Sequence, residues 1–140
     1  MNIDPASRSQ RSFAAVVASA RDARAFVAER LREEGVSTPV LADLQLVVSE
    51  LVANAIQHGS NDVVVQVGAA DGSWVELEVV GGSGLPAHLA DPASWRIADA
   101  SDATGRGLGI VRELVDEVVL DHIEGQLVVR CHRRRTSGDV

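Results

Sequence analysis

A single helical run constrains this chain more than any other feature. From Ser37 to Gly59 the sequence STPVLADLQLVVSELVANAIQHG has no helix breaker after Pro39. Ser37 is placed to cap the helix, Pro39 suits its first turn and Gly59 stops it. Leu41, Leu44, Val47, Val48, Leu51, Val52 and Ile56 recur at helical spacing, enough for a well-buried helix. One stripe breaks the apolar pattern. Glu50, Asn54 and His58 follow each other at intervals of four, so they share one face of the helix. That face looks either at solvent or into a site.

The flanking sequence supplies the partners such a helix needs. Residues 1–11 read as a flexible N-terminus and SFAAVVAS (12–19) as a short strand. ARDARAFVAERLREEG is an amphipathic helix, with Ala23, Phe26, Val27 and Leu31 on its apolar side and Gly35 as its stop. Two strands follow, VVVQVGAA and WVELEVV, joined at Asp71-Gly72, a strong hairpin signal. In the second strand Val75, Leu77 and Val79 alternate with Glu76 and Glu78, so one face is buried and the other wet. GGSGLP breaks the strand, and AHLADPASWRIADASDA reads as an irregular, mobile cover over a site. TGRGLGIVRELVDEV is a glycine-rich turn running into a helix, with Ile110, Val111, Leu114 and Val115 as its stripe. VVLDHIEGQLVVRCHRR is a second hairpin, centred on Glu124-Gly125, and residues 136–140 form a flexible C-terminus. This order predicts one domain over residues 12–135. Its expected fold is an α/β two-layer sandwich, with helices on one face of a mostly antiparallel, mixed sheet.

Composition narrows the function classes. With 46% hydrophobic residues but 3% aromatics and no Tyr, the core must be Val, Leu, Ile and Ala. The net charge of −7 argues against direct nucleic-acid binding, which needs a basic face, and leaves room for a basic protein partner. Cys131 is expected to be a small buried hydrophobe. No apolar run approaches a membrane span, and the polar opening lacks a signal peptide's apolar segment, so the expectation is a cytoplasmic protein without membrane contact. Arg133 to Arg135 read as a solvated tail, His122 and His132 as strand-edge residues, and Trp74 and Trp95 as packing residues.

The chemistry lies in two places. The glycines of GRGLG, Gly105 to Gly109, let backbone amides approach an anion at a helix N-terminus. On the polar stripe, Glu50 suits a general base, Asn54 an oxygen ligand for Mg2+, and His58 a hydrogen bond to phosphate. Taken singly, each has a plain explanation as a solvated carboxylate, a helix-face amide and an imidazole at a helix C-terminus.

Taken together, Glu50-x-x-x-Asn54-Ala55-x-x-His58 and Thr104-Gly105-Arg106-Gly107-Leu108-Gly109-Ile110-Val111 resemble the signatures of the GHKL ATPase superfamily. Within it the resemblance is to the small bacterial anti-sigma-factor serine kinases, over roughly residues 12 to 133. It implies the histidine-kinase-like ATPase fold, with ATP between the helices and the sheet under residues 85–102. It also implies Glu50 as catalytic base, Asn54 as ligand to Mg2+, His58 beside the phosphates, and Gly82 and Gly84 at the pocket floor. Gly105, Arg106, Gly107, Leu108 and Gly109 would wrap the β- and γ-phosphates. The implied activity is an ATP-dependent protein serine/threonine kinase that sequesters a sigma factor and phosphorylates an anti-sigma-factor antagonist, usually as a homodimer.

One family box departs. An Asp-x-Gly-x-Gly box, whose Asp accepts a hydrogen bond from the adenine amino group, stands here as VVGGSGLP. The Asp position falls on Val80 counting back from Gly82 and Gly84, or on Gly81 counting along the strand. Neither can accept a side-chain hydrogen bond. The loss costs roughly 1–3 kcal/mol, about tenfold to a hundredfold in affinity. The alternative implied is a non-catalytic interaction protein of the same fold with weak or no ATP binding.

Overall fold

The computed structural model describes residues 8–59, 61–70, 73–97 and 102–135. Of the flexible N-terminus expected at residues 1–11, residues 8–11 instead belong to the first strand, while residues 1–7, the flexible end expected at 136–140 and the Asp71-Gly72 turn lie outside the described residues. Within them the chain runs β1 (Arg8–Ala14), α1 (Ser19–Glu33), α2 (Thr38–Gln57), β2 (Asp62–Ala70), β3 (Trp74–Val80), α3 (Ala103–Leu114), β4 (Glu117–Ile123) and β5 (Gln126–Arg134). The strands form one five-stranded sheet in the order β1-β2-β3-β5-β4. Every neighbouring pair is antiparallel, so the sheet is not mixed. The second hairpin closes at Glu124 (φ 53°) and Gly125 (φ 79°), the doubly left-handed pair that matches the twist of a two-residue turn.

The two-layer sandwich follows from alternation. Val63, Val65 and Val67 of β2, Val75, Leu77 and Val79 of β3, and Leu127, Val129 and Cys131 of β5 are buried in one cluster with the apolar sides of α1 and α2. By length and composition α2 could cross a membrane, with a mean hydropathy of 1.4 in its most apolar window. Here it is instead the central core helix, packed on α1, β3 and β5. The core is aliphatic as composition demands, with Phe13, Phe26 and Trp95 as its aromatic members. Burial pushes the Cys131 thiol up to about 12, which makes it a packing group rather than a nucleophile.

Two expectations shift. The first strand lies at Arg8–Ala14, ahead of 12–19, and Val16 and Val17 are exposed in the turn that Ser19 Oγ closes by donating to Ala14 O at 2.6 Å. β1 is an edge strand in which only Phe13 is buried, edge-on to Phe26 at 6.1 Å, so the apolar run AAVVA pointed to the wrong place. Ser37 makes no side-chain cap; its hydroxyl donates to Arg135 O at 3.2 Å.

The arginines near the C-terminus are anchored rather than solvated. Arg133 pairs with Asp43 at 2.9 Å and donates to Leu114 O, Arg134 lies over the Trp74 ring at 4.9 Å, and Arg135 donates to Glu34 O. His132 is a buried residue between Glu76 (3.0 Å) and Glu117 (3.1 Å) on the sheet face away from the helices, whereas His122 is exposed on the edge strand β4. Antiparallel pairing explains this, since Glu76 and Glu117 are the direct cross-strand neighbours of His132.

Candidate nucleotide site between α2, α3 and the sheet

The polar stripe of α2 faces α3. A Cβ built on Gly107 would lie 2.4 Å from Glu50 Oε2, so the carboxylate occupies the space a side chain would need. Glu50 is half-buried and has no hydrogen-bond or ion-pair partner among the described residues. One turn on, Asn54 is buried and its Nδ2 has no hydrogen-bond partner among them. A buried, unpaired amide is costly, and its persistence is a mark of a group kept for a ligand. His58 caps the C-terminus of α2, and its Nε2 lies 3.4 Å from Thr104 Oγ1, which itself donates to Gln57 Oε1 at 3.2 Å. Thr104 thus ties the two helix ends together; the sequence offered only its position beside Gly105 as a hint.

The glycine segment is not a loop before the helix. Gly105, Arg106, Gly107, Leu108 and Gly109 all lie inside α3. Asp102 caps it, accepting from Gly105 N at 2.8 Å through its side chain and from Arg106 N at 3.1 Å through its carbonyl. These amides, expected to wrap phosphates, are committed to the helix and its cap. Glycine costs about 1 kcal/mol per helical position, so packing must hold this arrangement. It does so at Gly107, against Glu50, and at Gly109, where an added Cβ would meet Ile97 N at 2.6 Å and the Arg96 carbonyl carbon at 2.9 Å. Arg106 is exposed.

The described part of the covering segment, up to Ile97, is more ordered than its sequence suggested, and residues 98–101 lie outside the described residues. It makes two short 3-10 turns, Ala87–Leu89 and Pro92–Ser94, the second capped by Asp91. Trp95 pins it to the core, 1% exposed, with Nε1 donating to Leu89 O at 2.8 Å.

Between these parts the cavity is about 10 Å³, room for one water at most. Leu51, Asn54, Ala55 and His58 line it from α2, Leu108 from α3, and Val79, Leu127 and Val129 from the sheet. Gly82 (φ 83°) and Gly84 (φ 138°) turn the chain beneath α2, where a Cβ on Gly82 would sit 3.4 Å from Ala55 O. The sheet register separates the two residues expected at the adenine-acceptor position. Val80 pairs with Val64 and Val128 on the open sheet face, while Gly81 lines the cavity.

The residues at the helix end suit a magnesium-bound triphosphate in their chemistry, with an amide at Asn54 and a carboxylate at Glu50 both unpaired among the described residues, but Glu50 fills the space beside Gly107 and the backbone of residues 96–97 fills that beside Gly109. Among the described residues no acid lines the far end. The seam between α2 and α3 has to open before a nucleotide enters.

Known proteins agree with this fold. The family model of the histidine kinase-like ATPase domain matches residues 13–132. Among solved structures, the RsbU and RsbW domains of Rv1364c from Mycobacterium tuberculosis are similar, with a TM-score of 0.66 and 24% identity. That match covers 91% of this chain and 32% of the other, so this chain spans about a third of that protein's length. The chain belongs to the histidine kinase-like ATPase domain family.

Proposed function

We propose that this chain is an ATP- and magnesium-dependent protein serine/threonine kinase of the anti-sigma-factor type. It holds a sigma factor and phosphorylates a serine or threonine of the antagonist that releases it, acting in the cytoplasm as a homodimer. The observation that carries the reading is the convergence of Glu50, Asn54 and His58 on the glycine face of α3.

Each residue has a defined task. Glu50 takes the proton from the attacking hydroxyl, and its freedom from other partners keeps it available. Asn54 would hold the metal through its side-chain oxygen, a neutral ligand of the kind Mg2+ accepts while keeping most of its waters. His58, steadied by Thr104, donates to a phosphate oxygen. Bound magnesium ATP supplies the phosphoryl group and the neutralisation of its charge. The acidic surface, −7 overall, favours basic faces on the protein partners.

A second reading has its own support. Gly81 in place of an acid, and a cavity of about 10 Å³, favour a non-catalytic interaction protein that holds its partner by surface alone. Incubation with Mg2+, γ-labelled ATP and the cognate antagonist separates the two. The kinase reading expects label on an antagonist serine or threonine. No label, together with no nucleotide bound at millimolar concentration, leaves the interaction protein standing.

A further inference from the structure

Among the described residues, the far end of the nucleotide cavity has no side chain that reads a base. Its lining there is Val79, Gly81, Leu85, Leu127 and Val129, while the two polar side chains of the cavity, Asn54 and His58, sit on α2. The nearby backbone is also engaged. Gly81 N donates to Leu127 O at 3.0 Å, Leu127 N to Gly82 O at 2.9 Å, and Ser83 N to His58 O at 3.3 Å. An apolar wall of this kind accepts the flat body of a purine through burial, which is non-directional. Telling one ring substituent from another takes a buried donor or acceptor left unpaired by the wrong ligand.

We infer that this site takes purine nucleoside triphosphates as a class, holding the triphosphate and the ring body without reading the 6-substituent, and that Gly81 is the position that sets this indifference. The inference rests on the nucleotide-site reading above. Opening the α2–α3 seam adds the same cost for every nucleotide, so it cancels in a ratio of affinities. Gly81, unlike Gly82 and Gly84, has no positive φ, so its backbone accepts a side chain. A carboxylate there faces the cavity and accepts from a 6-amino group, but opposes the carbonyl oxygen of hypoxanthine.

Calorimetric titration with Mg-ATP and Mg-ITP tests this without any turnover. The wild-type protein is expected to bind both within about threefold. Gly81→Asp is expected to favour ATP over ITP by about tenfold to a hundredfold. Val80→Asp, on the opposite sheet face, leaves the ratio unchanged, and Gly81→Glu, which carries the same acceptor-only carboxylate, serves should the Asp variant fail to fold. A wild-type preference for ATP above about tenfold overturns this inference and leaves the kinase reading intact. A Gly81→Asp ratio equal to wild type likewise overturns it. Absence of binding by either nucleotide at millimolar concentration overturns the nucleotide-site reading, and the inference with it.

Discussion

Replacing Glu50 with Gln lowers phosphoryl transfer to the antagonist by roughly 10²- to 10⁴-fold, while Mg-ATP affinity stays within about twofold. Gln keeps the shape and removes the base, and Glu50 is not held by another side chain among the described residues, so little else changes. Gly107→Ala reaches the same residue from the other side. Its Cβ would meet Glu50 Oε2 at 2.4 Å, and the obstacle is the end of a flexible side chain. The carboxylate swings away and the helix gains about 1 kcal/mol of propensity. The variant therefore melts at or above the wild-type temperature yet loses about a hundredfold in rate through misplacement of the base. Single-turnover phosphorylation with a parallel thermal melt checks both. Wild-type rates in Glu50→Gln would remove Glu50 from the chemistry.

Gly109→Ala behaves in the opposite way. There the Cβ meets backbone, Ile97 N at 2.6 Å and the Arg96 carbonyl carbon at 2.9 Å, which cannot rotate aside. Overpacking of this kind costs about 1–3 kcal/mol, more than the helix gain offsets. The covering segment lifts from α3, and Trp95, two residues before Ile97, leaves its buried setting. In a Trp74→Phe background its emission shifts to longer wavelength and the melting temperature falls. A higher melting temperature with unchanged emission would show that the cover does not seat on Gly109.

The contrast between these two glycines shows what the sequence could and could not reveal. The three helices and both strand pairs were legible because their apolar residues repeat at periods near 3.6 and 2, and those periods set which face is buried. The stripe of Glu50, Asn54 and His58 was legible for the same reason. The start of α3 was not. Glycine's poor helix propensity reads as a turn, and only the Asp102 cap and the close seats of Gly107 and Gly109 reverse it. β1 escaped because an edge strand with one buried residue leaves almost no alternation. The anchors of Arg133, Arg134 and Arg135, and the burial of His132, come from cross-strand neighbours distant in sequence. The choice between Val80 and Gly81 needed the register, since a shift of one residue exchanges the two faces of a sheet.

The most direct measurement is a calorimetric titration of the wild-type protein and of Asn54→Ala with Mg-ATP. Asn54 Nδ2 has no partner to lose among the described residues, so the variant is expected to fold as stably as the wild type. The account predicts saturable wild-type binding in about the micromolar range that weakens at least about tenfold in Asn54→Ala. Equal affinities in the two proteins, or no saturable wild-type binding up to about 1 mM, would contradict a nucleotide site built on the α2 stripe.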